Sequence, residues 1–228
     1  MKITTIGDNL VQLTRLGAFN CYLVREADGF TLVDTGLVGS ADGILAAAQQ
    51  LGRPIRRIAL THAHGDHVGS LDVLANKLPD VELVFGGRTA VFLAGNLTLH
   101  PDEPQAKLRG SFVASSTQAT RLVADGDRVG SLRVVAAPGH TPDHMAFFDG
   151  RDGTLIAGDA FQTKGGIAVA GQIRWLFPFP AMATWHKETA VSTAKKLLAL
   201  NPTRLAVGHG SVLENPGAAM AAAIEAAR

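Results

Sequence analysis

Short apolar runs broken by glycine or polar turns recur along almost the whole chain. Leu10 to Leu13, Asn20 to Arg25 and Phe30 to Val33 are apolar or β-branched, and Gly17 and Asp28-Gly29 separate them. This punctuation predicts three strands. The period then changes. In Ser40 to Leu51, Ile44, Leu45 and Ala48 share a face, Ser40 stands at the N-cap and Gly52 at the stop, which predicts a helix. A strand Arg57 to Leu60, a helix Ser70 to Leu78, a strand Val81 to Phe85 and a helix Arg88 to Leu93 follow. Residues 95–118 are polar, interrupted by Pro101 and Pro104, and show no period. Beyond them come strands Arg121 to Val123 and Leu132 to Ala136, then a hairpin of Ala146 to Phe148 with Thr154 to Ala157. A long helix Ala183 to Leu200, a strand Leu205 to Val207 and a helix Pro216 to Ala227 end the chain.

Strands followed by β-loop-α units, in two halves, predict an α/β fold. The expected form is a four-layered αβ/βα sandwich of two mixed sheets flanked by helices. At 228 residues the chain reads as one domain over 1–228. A hydrophobic fraction of 46% against 18% charged residues allows a large core. The net charge of +1 comes from scattered cations, so no basic stripe awaits nucleic acid. The one cysteine, Cys21, lies in an apolar run and reads as a buried thiol. The N-terminus turns polar too early for a signal peptide, and no apolar run is long enough for a membrane. A cytoplasmic protein without a membrane partner is expected.

The chemistry concentrates in Thr61-His62-Ala63-His64-Gly65-Asp66-His67. Three imidazoles and a carboxylate this close converge, and burying them unpaired costs several kcal/mol. Metal ions resolve that conflict, because imidazole and carboxylate are their ligands. His140, Asp159 and His209 stand far downstream, and like His62 each follows an apolar strand. Ligands placed at the ends of such strands are brought to one edge of an α/β fold, where chemistry is usually found.

His62-Ala63-His64-Gly65-Asp66-His67, followed in order by His140, Asp159 and His209, resembles the metallo-β-lactamase superfamily. Asp34-Thr35-Gly36 and Pro138-Gly139-His140-Thr141-Pro142 look like two further turns of that family. The resemblance implies one metal on His62, His64 and His140, and a second on Asp66, His67 and His209, bridged by Asp159. It implies two divalent ions, zinc first with manganese or iron compatible, and a bridging hydroxide as nucleophile, with Asp66 and Asp159 the catalytic carboxylates. Asp34 reads either as an acceptor that orients a ligand histidine or as a plain turn carboxylate. His144 reads either as a support behind the ligands or as a structural histidine. Asp143 stands where many relatives have glycine. His100 reads as a solvated loop residue, and His186 as the surface of a helix.

The family hosts many reactions, so absences carry the choice. Asp159 stands where some β-lactamases of the family use cysteine, and His64 where flavin-linked di-iron relatives use glutamate. The chain ends soon after His209, without the helical domain that thioesterases of the glutathione type carry. Gln162 occupies a place where some lactonases have tyrosine. The expectation is hydrolysis of a small ester, lactone or related acyl compound. Phosphodiester or β-lactam hydrolysis is the alternative on the same site, and an iron-dependent persulfide dioxygenase the alternative of another class. Substrate contacts are expected from Gln162, Lys164, Arg174, Trp175 and Phe177, in an aromatic stretch from Ala160 to Pro180 that reads as a lid, as core, or as the interface of a homodimer.

Overall fold

The apolar runs form strands because each alternates its side chains between two different cores. In the computed structural model, which describes residues 1–227, the first half reads β1 (Lys2–Ile6), β2 (Leu10–Arg15), β3 (Phe19–Arg25) and β4 (Phe30–Val33). It continues with α1 (Ala41–Gln50), β5 (Ile55–Ala59), α2 (Gly65–Val68), α3 (Leu71–Lys77), β6 (Glu82–Gly86), α4 (Gly87–Leu93) and β7 (Arg121–Val123). These seven strands lie in chain order in one sheet, antiparallel from β1 to β4 and parallel from β4 to β7.

The second half reads β8 (Arg128–Val129), β9 (Leu132–Ala136), β10 (Met145–Asp149), β11 (Thr154–Ile156), β12 (Phe161–Gln162) and β13 (Ala168–Val169). Then come α5 (Phe179–Met182), α6 (Lys187–Leu198), β14 (Arg204–Ala206), β15 (Leu213–Glu214) and α7 (Gly217–Glu225). Six of these strands form a second sheet in the order β15-β14-β11-β10-β9-β8, where β11 and β14 are parallel. β12 and β13 pair by themselves as a small hairpin.

Three cores separate four layers. Cys21, Leu23 and Ile58 face α1, α3 and α4, while their neighbours Tyr22, Val24 and Ala59 face the other sheet. On that sheet Val134 and Phe147 meet them, and Val135 and Ala146 turn outward to α6 and α7. A period of two with both faces buried is what such strands require. The expected sandwich of two mixed sheets is therefore the observed fold.

Several boundaries differ from expectation. β1 was not foreseen; its Ile3, Thr4 and Thr5 are β-branched, but it is a half-exposed edge without a strong apolar face. The helix expected from Ala183 begins at Lys187. Thr184-Trp185-His186 stays outside the helix because the Trp185 and His186 amides donate to the His140 and Gly139 carbonyls. Ser40 sits at the N-cap of α1 but makes no side-chain cap; its amide donates to Ser70 Oγ. The stretch from Ala160 divides: Phe161, Ala168 and Val169 belong to the core, so its first part is no lid. Cys21 is buried, and burial pushes its thiol pKa up.

The sheets are stitched where they meet. The Tyr22 hydroxyl donates to the Val207 carbonyl at 2.7 Å and accepts from the Val207 amide at 3.0 Å. Asn20 adds side-chain bonds to the Val207 and Gly210 carbonyls at 2.9 and 2.7 Å. Tyr22→Phe leaves a buried amide without its acceptor. It should cost about 1–3 kcal/mol, read as a lower urea midpoint at unchanged slope. An unchanged midpoint would show that the stitch contributes no stability.

Candidate metal centre

The candidate ligands stand just past strand ends, as expected. His62 follows β5, His140 follows β9, Asp159 follows β11 and His209 follows β14. β9, β11 and β14 run in one direction, since β10 is antiparallel to both β9 and β11 while β14 is parallel to β11. Within the histidine loop, His64 is extended at φ −72°, ψ 143° and caps a single helical turn, α2, that carries Asp66 and His67. The turn begins at Gly65, so the two halves of the loop face different directions.

Three sets of ligand-type atoms converge among the described residues, each set within 4.8 Å: His62, His64 and His140; Asp66, His67 and His209; and His62, His67 and Asp159. The third set joins the other two. Asp159 lies 3.1 Å from His209, 3.4 Å from His67 and 3.4 Å from His140. Asp66 lies 3.3 Å from His209 and 3.8 Å from His67.

Each histidine offers one ring nitrogen to this centre and has the other held by the protein. His64 Nε2 donates to the Arg109 carbonyl at 2.9 Å, and His209 Nδ1 to the Ala18 carbonyl at 3.3 Å. His67 Nδ1 donates to Asp34 at 2.8 Å. Thr61 Oγ1 gives its proton to Asp34, so it accepts from His62 Nδ1 at 3.0 Å. Thr184 Oγ1 gives its proton to the Pro180 carbonyl and accepts from His140 Nδ1 at 3.2 Å. On His62, His64 and His140 the inward nitrogen is therefore the lone-pair side of the ring, while on His67 and His209 it turns to the carboxylates of Asp66 and Asp159.

Beside this centre stands the match to known proteins. The profile of the Metallo-beta-lactamase superfamily matches residues 15–209. The chain belongs to the metallo-beta-lactamase superfamily. YobT of Bacillus subtilis (strain 168), an uncharacterized protein, is 50% identical over 92% of this chain and 90% of its own length. The probable metallo-hydrolase YflN of the same organism is 32% identical over 84% of this chain and 80% of its own length. A crystal structure of TTHA1623 in a di-iron-bound form superposes with a TM-score of 0.65 at 27% identity, covering 91% of this chain and 95% of that one.

The metals that this superfamily implies fit the residues present. The inward nitrogens of His64 and His140 face each other at 3.1 Å, an arrangement of two lone pairs that a cation relieves. His62 Nε2, His67 Nε2 and Asp159 Oδ1 are buried without any hydrogen-bond partner. Nitrogen and carboxylate donors without thiolate suit zinc, manganese or iron. A Cβ on Gly208 would overlap the Asp159 carboxylate and stand 2.7 Å from the His67 ring, so the close approach of β14 to the centre requires glycine.

The two ends of the centre differ in charge. Burial pushes His62, His64 and His140 down, so they are neutral. Burial acts the same way on His67 and His209, but carboxylates outweigh it. Asp159, Asp34 and Asp66 hold His67 well above its usual value, and Asp159 with Asp66 raises His209 to about 9.

Of the two readings of Asp34, the geometry matches the orienting acceptor. It takes the Thr61 amide at 2.7 Å, the Thr61 hydroxyl at 2.8 Å and His67, in a left-handed turn of φ 63° that aspartate tolerates. His144 is buried behind the ligands. Its Nε2 accepts the Asp159 amide at 3.0 Å, its ring stacks on His62 at 4.9 Å, and burial lowers its pKa to about 3. Asp143 was not expected to take part, yet its buried carboxylate accepts the amide of Ala63, between two ligand histidines, at 3.0 Å. Asp143 has no positive φ, so the position does not need the backbone freedom of glycine. His186 caps α6, accepting the Thr189 amide, rather than lying along the helix surface. His100 is exposed, as expected.

A cleft of about 350 Å³ opens onto His64, Asp66, His140, Asp159 and His209. Phe19, Gly110-Ser111 and the Phe179–Ala183 stretch wall it. Gln162, Lys164, Arg174, Trp175 and Phe177 do not line it. Lys164 donates to the Gly17 carbonyl at 2.9 Å and Arg174 to the Ile167 carbonyl. Gln162 is buried with both amide atoms unpartnered, Phe177 packs on His209, and Trp175 is exposed.

Asp34→Ala should weaken metal binding about 10–100-fold, measured by competition with a chromophoric chelator, while the far-ultraviolet spectrum stays native. Unaltered affinity would return Asp34 to a turn residue. Metal binding should also release protons. Metal requires a bare nitrogen, and with raised values His67 and His209 are protonated at pH 7 in the metal-free protein. Calorimetry in buffers of different ionisation enthalpy should find about one to two protons expelled at pH 7. Affinity should climb as pH rises toward and through about 9, where His209 begins to lose its proton unaided. Release near zero at pH 7 would contradict this charge assignment.

Proposed function

We propose that the chain is a dinuclear metallo-hydrolase of small esters, lactones or related acyl compounds. The observation that carries this reading is the pair of ligand sets joined through Asp159 at the floor of an open cleft. His62, His64 and His140 would hold one ion, and Asp66, His67 and His209 the other. Divalent ions bound there supply Lewis-acid polarisation of a carbonyl and acidification of water. Asp159 reaches toward both sets and stands ready to orient water between them, and Asp66 is the more accessible carboxylate at the mouth. Cys21 lies outside the cleft, buried with a raised pKa, so no thiol nucleophile competes.

No lysine or arginine lines the cleft, which weighs against a phosphodiester substrate. The second reading is iron-dependent oxygen chemistry on a persulfide, favoured by the di-iron form of the similar TTHA1623. We read residues 1–228 as one domain acting in the cytoplasm on a small molecule; no described helix is long and apolar enough to cross a membrane.

A panel of lactones, esters, thioesters, β-lactams and phosphodiesters, run with metal content measured on the same sample, separates these readings. Acyl turnover with about two metals per chain is expected, and Asp66→Ala should lower kcat/KM by about 10²-fold or more. Turnover unaffected by Asp66→Ala would place the chemistry elsewhere. Oxygen uptake with a persulfide on one iron per chain would replace hydrolysis with oxygenation.

A further inference from the structure

We propose that the cleft carries an acyl-chain subsite walled by Phe179 and Met182, so that the substrates are uncharged acyl compounds bearing an alkyl tail. The inference rests on the hydrolase reading and deepens it.

Exposed apolar residues are normal when scattered and informative when gathered. Five of the thirteen large exposed hydrophobics fall in one short stretch: Ile173, Trp175, Leu176, Phe179 and Met182. Phe179 is 63% exposed and Met182 62%, yet both line the same cleft as Asp66, Asp159 and His209. Phe179 and Met182 thus share one surface with the candidate metal centre. Rings tie them together: Phe179 meets Phe177 edge-on at 5.2 Å, Phe177 meets His209 at 5.1 Å, and Phe19 meets His209 at 5.2 Å. α5, which carries Phe179 and Met182, is anchored behind by the buried Pro180, whose carbonyl accepts from Thr184.

No lysine or arginine waits for an ionised tail. The carboxylates lining the cleft are Asp66 and Asp159, and its other charge-bearing side chains are the candidate metal ligands themselves. Lys164 and Arg174, the nearest in sequence to α5 on that side, are bound to backbone carbonyls outside it. A neutral alkyl tail would lie along the apolar residues Phe179, Pro180, Met182 and Ala183. In the reaction, water oxygen bonds to the acyl carbon, the acyl–oxygen bond breaks, and a water proton passes to the leaving alkoxide. The products are a fatty carboxylic acid and an alcohol.

The test is a series of p-nitrophenyl esters from acetyl to decanoyl on the metal-loaded enzyme, with terminal-carboxylate esters of matched length. Expected is a rise in kcat/KM of about two- to fourfold per methylene up to octanoyl. Carboxylate-ended analogues should be at least about tenfold poorer. Phe179→Ser and Met182→Ser should each cut the octanoyl-to-acetyl ratio about fivefold or more, acting mainly on KM. Calorimetric binding of octanamide against acetamide reads the subsite without chemistry. Hydrolysis with a flat length profile overturns the subsite and leaves the hydrolase reading standing. Tight octanamide binding, weakened by both variants, in an enzyme that hydrolyses no ester keeps the subsite and sinks the hydrolase reading. A dimer in sedimentation that Phe179→Ser dissolves, with no length dependence, would reassign the patch to a second copy of the chain.

Discussion

Five imidazoles and two carboxylates meet where the two sheets come together, and the rest of the structure is arranged around holding their polar atoms against one another. Buried polar atoms without partners cost several kcal/mol each in an apolar surrounding. His62 Nε2 is in that position, and His67 Nε2 and Asp159 Oδ1 meet only as an ion pair at 3.4 Å without a hydrogen bond. An arrangement of this kind persists only where the surrounding backbone is over-determined. Here it is. Asp34 and Thr61 fix β4 to the start of the histidine loop, Asp143 ties that loop to the loop after β9, and Tyr22 and Asn20 clamp β3 onto the residues before His209. The glycine at 208 and the left-handed turn at Asp34 are local sacrifices of chain stability to the same end.

The fold and the candidate ligands were largely legible because both are written in residue type and period. Alternation across two cores marks β3, β5, β9 and β10, and the candidate ligands are marked by the dense His-Asp loop at 62–67 and by lone polar residues shortly past later apolar runs. What stayed hidden is carried by backbone or by distance. The carbonyls of Arg109 and Ala18 hold His64 and His209, and a carbonyl has no signature in the sequence. Asp143 gave no sign of its role either, because its partner Ala63 lies 80 positions away. Thr184-Trp185-His186 was read as helix although its β-branched and aromatic residues suit an extended segment; only the docking onto Gly139 and His140 decides it. The stretch after Asp159 mixes aromatic and small residues, and composition alone does not divide its buried first part from its exposed second.

One residue type serves two electrostatic roles in the centre. His62, His64 and His140 have no orienting carboxylate behind them; a hydroxyl, a carbonyl and a hydroxyl fix their rings, and burial keeps them neutral. His67 and His209 face Asp66 and Asp159, with Asp34 behind His67, so the same burial is overcome and both attract protons. One end of the centre is thus an all-imidazole, neutral donor set. The other is a donor set with compensating negative charge. A difference built into the neighbours makes the two ends chemically unequal before any ion arrives, and Asp159 is the group that feels both.

Reactivity and selectivity are drawn from different parts of the chain. The donor atoms come from strand ends locked by both sheets, where a shift of one side chain disturbs several bonded partners. The apolar wall comes from α5, a single turn whose outer side chains touch solvent and whose attachment runs through Pro180 and Thr184. Thr184 belongs to both, since its hydroxyl also holds His140. Substitution at Phe179 or Met182 changes what the cleft receives and leaves the strand-end network intact. Substitution at Thr184 would move the wall and a candidate ligand together. A fold divided in this way can change its substrate by altering one turn, which is the physical reason a shared donor set tells so little about what is cleaved.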